Sequence, residues 1–193
     1  HWRGMISDLD RREDELPGKT MLIFGLGKIG ARLAKLAKAF GMTVIGLKRD
    51  TAKPVEHVDE LYTSEALLDL LPRADCTVLT CPLTPETHNV IDGAALAAMK
   101  PSSHLINVAR GGCVDEPALI DALRRSAIAG AGIDVTVEEP LAADSPLWSF
   151  DNVILTPHTG GETRKYEDNV IDILLDNLDR LSRGAEPLHN QVI

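Results

Sequence analysis

The sequence has few cysteines, and those present do not suggest a structural role for disulfides. Three cysteines occur in 193 residues, at positions 76, 81 and 113. They contain no C-x-x-C pair, and their odd number leaves one unpaired. This pattern argues against a disulfide framework, gives no support for a metal site and favours a reduced, cytoplasmic setting.

Long hydrophobic runs and an excess of positive charge are also absent. No apolar run approaches the roughly 18 residues that a membrane helix needs, and no signal peptide is visible. The net charge of −9 repels phosphate, so we expect no binding to nucleic acid or to a membrane surface. The remaining composition, 44% hydrophobic and 25% charged, is typical of a globular protein.

A glycine-rich motif directly follows an apolar segment of strand length. Residues 20–24 predict a strand, Gly25-Leu-Gly27-Lys-Ile-Gly30 follows, and a helical pattern runs from Ala31 to Phe40. Gly25 permits a tight turn, Gly27 lets the backbone approach a pyrophosphate, and Gly30 lets helix and strand pack closely. Alone the motif is weak, because most glycine-rich turns are only turns. Between a strand and a helix, it predicts a dinucleotide site.

Strand-like and helical segments alternate along the rest of the chain. This alternation predicts an α/β fold with a doubly wound, mostly parallel sheet of the Rossmann type. An apolar stripe on the last helix predicts that this helix packs into the core. The predicted strands are 43–47, 58–62, 76–80, 105–108, 129–135 and 153–155; the helices are 64–71, 92–99, 116–125 and 162–183; the stripe is Tyr166, Val170, Leu174, Leu178 and Leu181.

Polar stretches containing Arg110, Glu139 and His158 follow three of these strands. The carboxyl ends of parallel strands open on one crevice. An arginine can hold a carboxylate in a two-pronged contact, and a histidine beside a carboxylate can carry a proton at neutral pH. With a dinucleotide to supply hydride, the three residues predict a dehydrogenase site. Each also has an ordinary alternative, as a surface ion pair, a solvated acid or a loop histidine.

These motifs resemble those of the D-isomer-specific 2-hydroxyacid dehydrogenase family. The resemblance implies an NAD(P)-dependent oxidoreductase acting on a small 2-keto or D-2-hydroxy acid, with His158 as acid/base, Glu139 as its partner and Arg110 binding substrate. Corepressors that sense dinucleotides resemble these enzymes, so a binding module is the alternative. The matching stretches, between Leu16 and Ile193, are Gly18-Lys-Thr20, Pro82-Leu-Thr84, Asn107 to Gly111, Asp134, Glu139-Pro140, Asn152 to His158 and Asn190-Gln-Val192.

The resemblance also implies which residues contact the cofactor. The backbone of Lys28 and Ile29 would hold the pyrophosphate, and the loop after the fourth strand would line the adenosine side. Val108, Ala109 and Asp134 would lie at the nicotinamide end. In chain order, the expected cofactor residues are Gly25, Gly27, Lys28, Ile29, Gly30, Lys48, Arg49, Cys81, Pro82, Thr87, Val108, Ala109, Asp134 and Gly160.

The end of the second strand bears on which dinucleotide is used. NAD sites place an acid there for the ribose, whereas NADP sites place a cation for the 2′-phosphate. Related NAD enzymes have aspartate where Lys48 stands, and Arg49 follows it. Asp50, about 20 residues after Gly30, keeps an NAD site open, and a solvated basic turn is a third interpretation. We favour NADP, because two adjacent cations stand where the phosphate would lie.

The family resemblance further implies a two-domain protein of which this chain is one part. Family members carry a substrate domain built mainly from preceding residues, and this chain begins at His1 rather than at a methionine. Residues 1–15, including Trp2, would connect from that domain, residues 16–183 would form the dinucleotide-binding domain, and residues 184–193 would return. We expect the chain to bind cofactor, to turn over substrate poorly and to form a homodimer.

Overall fold

The computed structural model describes residues 14–191. Most of the predicted connector, including Trp2, and the last two residues therefore lie outside the described part of the chain. The chain divides into two compact units, residues 1–157 and 158–193.

The first unit is built on a seven-stranded sheet in which every pairing is parallel. The strand order is β3-β2-β1-β4-β5-β6-β7, so the direction of winding reverses between β1 and β4. This order confirms the predicted doubly wound fold. The strands are β1 (Thr20–Phe24), β2 (Thr43–Leu47), β3 (Glu60–Tyr62), β4 (Cys76–Leu79), β5 (His104–Asn107), β6 (Gly130–Ile133) and β7 (Val153–Leu155).

Four helices connect the strands of this unit, and short 3-10 turns complete the connections. The first helix begins three residues before the predicted Ala31, because the backbone of Gly27 serves as its N-cap. Two later helices have Asp92 and Asp115 as their N-caps, and these carboxylates accept the backbone N–H groups of Ala95 and Ala118. The helices are α1 (Lys28–Ala39), α2 (Leu67–Leu70), α3 (Gly93–Ala98) and α4 (Glu116–Arg124).

Apolar side chains cover both faces of the sheet, as a buried parallel sheet requires. On one face, Ile23 and Val44 pack with Ala34 of α1. On the other, the buried side chains of β1, β4 and β5 join those of α2, α3 and α4 in a larger cluster. The alternation of side chains along each strand thus divides the core into two layers.

The amino edge of the sheet is closed by two carboxylates. Asp75 accepts hydrogen bonds from the Thr20 backbone N–H at 2.8 Å and from Lys100 Nζ at 2.7 Å. Asp59 accepts hydrogen bonds from Lys38 Nζ and from a β2 backbone N–H, both at 2.8 Å. The hydrogen bond from Lys38 and, after it, the bond from this backbone N–H hold the pKa of Asp59 below its usual value.

The second unit contains helix α5 (Tyr166–Ser182), which begins four residues later than predicted. The segment after α5 turns back along the helix. There Asn177 Oδ1 accepts the His189 N–H at 2.7 Å, and Asn177 Nδ2 donates to the His189 carbonyl at 2.9 Å. Arg180 also donates to the Pro187 carbonyl at 2.8 Å. Within residues 14–191, no helix is both long enough and apolar enough to cross a membrane.

The predicted burial of the last helix is wrong. No residue of α5 is buried, and the stripe from Tyr166 to Leu181 is about half exposed, Leu174 for example by 56%. Spacing at three and four residues shows that one face of a helix is apolar, but it does not identify what covers that face.

Candidate active site

The glycine loop between β1 and α1 lies at the carboxyl edge of the sheet. Gly25 has a φ of 103°, and a Cβ there would lie 2.7 Å from the Cys81 backbone nitrogen. A Cβ on Gly30 would overlap the carbonyl oxygen of Gly25. Both glycines are therefore needed for the chain's own packing. Gly27 differs, because nothing lies within 4 Å of its Cβ position. The space beside Gly27 is what a ligand could use.

A groove of about 510 Å³ opens at this edge. Its walls come from the start of α1, the loop after β4 and the loop after β5. The structure thus brings together six residues that the sequence predicted to contact cofactor or substrate, namely Ile29, Cys81, Pro82, Val108, Ala109 and Arg110. The groove is lined by Ile29, Thr80, Cys81, Pro82, Leu83, Val108, Ala109 and Arg110.

Asn107 folds the loop that carries Arg110. The side chain of Asn107 is 0% exposed; its Oδ1 accepts the Ala109 N–H at 3.0 Å, and its Nδ2 donates to the Arg110 carbonyl at 2.9 Å. The exposed Arg110 side chain donates to the Ala109 carbonyl at 2.6 Å. The sequence interpretation gave Asn107 no role. Its signal was an amide at the end of a buried strand, because an amide side chain can both donate and accept hydrogen bonds across a turn.

The loop after β6 packs directly on this arginine loop. A Cβ on Gly111 would overlap the carbonyl of Thr136. Glu116, in the first turn of α4, accepts the Val137 N–H at 3.2 Å. The exposed Glu139 accepts the Thr136 N–H at 3.1 Å through Oε1. The predicted substrate-binding arginine and the predicted acid therefore stand on loops in mutual contact.

Asp134 directly follows β6 at the same edge of the sheet. Its carboxylate accepts a hydrogen bond from Thr156 Oγ1 at the end of β7. The side chain is half-buried. Asp134 is thereby fixed at the carboxyl edge, as its predicted position at the nicotinamide end requires.

The residues predicted for the adenosine end occupy the loops after β2 and β4. Lys48 is half-buried and Arg49 is exposed. The pKa of Glu86, in the loop after β4, is lowered by a hydrogen bond with Thr84 and, to a smaller extent, by the charge of Arg49. The Arg49 charge therefore reaches this loop. Asp50 accepts the backbone N–H of a residue in its own turn at 2.9 Å.

Thr87 holds the loop after β4 together. Its hydroxyl donates to the Pro82 carbonyl at 2.7 Å and accepts the Thr84 N–H at 2.8 Å. It is not among the residues that line the groove, and its contact with the adenosine side stays a prediction.

His158 and Gly160 belong to the second unit. His158 is exposed and has a φ of 54°, in the left-handed region that residues other than glycine seldom occupy. Such conformations concentrate at functional sites, although His57, in a loop before β3, has a φ of 67° as well. Within residues 14–191, no group of three or more His, Cys, Asp or Glu side chains could hold a metal ion.

Comparison with known proteins finds a family model along most of the chain. The model described as "D-isomer specific 2-hydroxyacid dehydrogenase, NAD binding domain" matches residues 1–160. The chain is 42% identical over 171 residues to the glyoxylate reductase of Pyrococcus horikoshii, an alignment covering 88% of this chain and 50% of that protein. The chain spans about half the length of most of the curated relatives that it matches. The share of a relative's length that is covered ranges from 28% to 55%.

Solved structures have the same fold with either dinucleotide. The D-isomer specific 2-hydroxyacid dehydrogenase from Xanthobacter autotrophicus Py2, in complex with NADPH and MES, matches with a TM-score of 0.82 and 38% identity, over 91% of this chain and 71% of that one. The NAD complexed form of the enzyme from Lactobacillus delbrueckii ssp. bulgaricus matches with a TM-score of 0.80 and 30% identity, over 92% and 57%.

Replacing Asn107 with alanine should destabilise the arginine loop. The change leaves the buried Ala109 N–H without its acceptor and removes one of the two donors to the Arg110 carbonyl; an unsatisfied buried donor costs about 1–3 kcal/mol of unfolding free energy. Urea denaturation of the chain measures this loss. Asn152→Ala is the control, because this exposed asparagine donates one bond, to the Ala129 carbonyl at 2.9 Å. Equal losses for the two variants would contradict the role of Asn107.

Proposed function

This chain belongs to the D-isomer specific 2-hydroxyacid dehydrogenase family, and from that premise we propose that the complete protein is an oxidoreductase. It transfers a hydride between a nicotinamide dinucleotide and a small 2-keto acid or D-2-hydroxy acid. The observation that carries the proposal is the groove in which the glycine loop and Arg110 meet at the carboxyl edge of the sheet. The glyoxylate reductases among the relatives support a small keto acid as substrate.

The residues around the glycine loop fit a dinucleotide. The space beside Gly27 is what a pyrophosphate would fill, and the first turn of α1 contains no acidic residue and no capping side chain that would compete with an anion. The backbone of Lys28 and Ile29 would hold the pyrophosphate. Val108 and Ala109 would lie along the nicotinamide end. The cofactor, when bound, supplies or accepts the hydride.

Arg110 is proposed to bind the substrate carboxylate. Its guanidinium is exposed at the groove, and the two hydrogen bonds of Asn107 fix the backbone from which it extends. A planar guanidinium suits the two oxygens of a carboxylate, so it would orient a 2-keto acid with its carbonyl toward the nicotinamide end.

His158 is proposed as the residue that gives and takes the proton, and Glu139 as the acid that supports it. Support comes from the motif Asn152 to His158 and from the unusual backbone conformation of His158. The relatives named above are enzymes, and they do not favour the dinucleotide-sensing corepressor as an alternative.

The domain organisation is proposed from the partial coverage of the relatives. Residues 16–183 would form the dinucleotide-binding domain of a longer enzyme, with residues 1–15 and 184–193 as its connections to a substrate domain. The chain alone would then bind cofactor with little turnover, since the facing wall that excludes water and fixes substrate lies in that other domain. We also propose a homodimer formed through the dinucleotide-binding domain.

The chain should bind NADPH about tenfold or more tightly than NADH. One charge-assisted hydrogen bond to the 2′-phosphate contributes on the order of 1.5–3 kcal/mol, and Lys48 and Arg49 both stand at the end of β2. Fluorescence titration measures the two affinities. Arg49→Ala should reduce the preference, whereas Arg125→Ala, an exposed arginine paired with Asp121 on α4, should not. Equal or tighter NADH binding by the unsubstituted chain would reject the preference for NADP.

His158→Ala in the complete enzyme should lower kcat for keto-acid reduction by about 10²–10⁴. NADPH affinity should change little, because the substitution removes a proton donor and leaves the glycine loop intact. The matched control is His57→Ala, which replaces the other histidine with a positive φ. A kcat unchanged by His158→Ala, with chemistry shown to limit the rate, would overturn the assignment.

A further inference from the structure

Two of the three cysteines are buried in contact beside the groove. Cys81 and Cys113 are 5% and 0% exposed and belong to the same core cluster. Each thiol lies close enough to the other to shift its pKa. Cys76 lies apart, at the amino end of β4. Five residues of extended chain separate it from Cys81, roughly 16 Å. The three cysteines therefore consist of one neighbouring pair and one separate thiol.

The backbone fixes the two segments that carry this pair. The Asn89 N–H donates to the Gly112 carbonyl at 2.8 Å, and the Ile91 N–H donates to the Cys113 carbonyl at 3.1 Å. A Cβ on Gly112 would lie 3.1 Å from Leu83 Cδ2. The loop after β4 and the turn from Gly111 to Cys113 are thus packed together.

The same two segments support the walls of the groove. Cys81 lines the groove, and its backbone nitrogen is the atom that a Cβ on Gly25 would approach. The Cys113 N–H donates to the Arg110 carbonyl at 3.1 Å. The thiol pair therefore joins the part of the chain that holds the glycine loop to the part that holds Arg110.

The surroundings of the two sulfurs give them different chemistry. The Cys81 thiol and the Arg110 backbone N–H donate to the Cys113 sulfur, and they lower the pKa of Cys113, helped by the charge of Arg110. The hydrogen bond to Cys113 and burial raise the pKa of Cys81. A thiolate is the form that attacks peroxides, and a neighbouring thiol is what resolves the product.

We propose that Cys81 and Cys113 form a peroxide-responsive dithiol that closes as a disulfide beside the groove. The Cys113 thiolate attacks a hydroperoxide, the O–O bond breaks, and an alcohol or water leaves with a proton while sulfur becomes a sulfenic acid. The Cys81 sulfur then attacks the Cys113 sulfur, and water leaves as the S–S bond forms. The peroxide is reduced by two electrons, and the two thiols are oxidised. A dithiol reductant reverses the step.

Closure should change how the groove binds a dinucleotide. A covalent bond between the two sulfurs would draw the two segments together, and each segment touches a binding loop. Cys81 is at the groove wall and Cys113 is fully buried, so the proposal requires that hydrogen peroxide enters past Cys81. We expect NADPH affinity to fall on oxidation and to recover on reduction.

Mass spectrometry of the reduced chain treated with hydrogen peroxide tests the bond itself. We expect a loss of two hydrogens, a linked peptide joining Cys81 to Cys113, and a Cys76 that is still alkylated by iodoacetamide. Cys76→Ser is the matched control and should oxidise in the same way. In Cys81→Ser, dimedone should label Cys113. Alkylation of all three thiols after peroxide, or linkage through Cys76, would overturn the proposal. This experiment measures thiol oxidation alone and does not rest on the proposed function.

NADPH titration of the same preparations tests the consequence. The oxidised chain should bind NADPH at least about tenfold more weakly than the reduced chain, and dithiothreitol should restore the affinity. Cys113→Ser, or Cys113→Ala if the serine variant does not fold, should show no change on peroxide treatment. If the linked pair forms while NADPH affinity stays the same, the proposed control of the groove is wrong. If neither form binds NADPH, the proposed function fails independently of the thiol chemistry.

Discussion

The close approach of the glycine loop to the end of β4 is the constraint on which the site depends. The Thr80 hydroxyl donates to the Gly25 carbonyl at 2.5 Å, and the Thr80 N–H donates to the Phe24 carbonyl at 2.9 Å. No side chain fits at Gly25 or Gly30 without separating the two segments. Because β1 and β4 flank the point where the sheet reverses its winding, this contact also determines where the groove opens.

The charges that matter for the site are also local to the carboxyl edge of the sheet. The chain has a net charge of −9, so its general field disfavours an anionic cofactor and substrate. In the proposed function, binding would come from groups at the carboxyl edge, namely the helix N-terminus beside Gly27 and the side chains of Lys48, Arg49 and Arg110. The acids Asp59 and Asp75 are used at the opposite edge, where they accept backbone and lysine donors.

The sequence predicted the strands well and the interactions between distant segments poorly. Strands β1, β2 and β7 have the predicted bounds, because apolar runs between glycine and polar turns define them. β3 begins two residues later than predicted, since the Val58 N–H bonds to the Val55 carbonyl in the preceding turn rather than to β2. The two bonds of Asn107 and the contact between Cys81 and Cys113 depend on loops that only the folded chain brings together. The stripe on α5 has the predicted period but is exposed rather than buried, because a period carries no information about the covering surface.

The most direct test of the central claim is a nuclear magnetic resonance titration of the ¹⁵N-labelled chain with NADPH. A dinucleotide in the groove should shift the amide signals of Ile29, Cys81 and Ala109, and leave those of Asp59 and Lys100 at the amino edge unchanged. Gly27→Ala has room for its methyl group in the folded chain, so it should keep the spectrum and lose the shifts. Shifts confined to the amino edge, or none at the groove at saturating NADPH, would contradict the account.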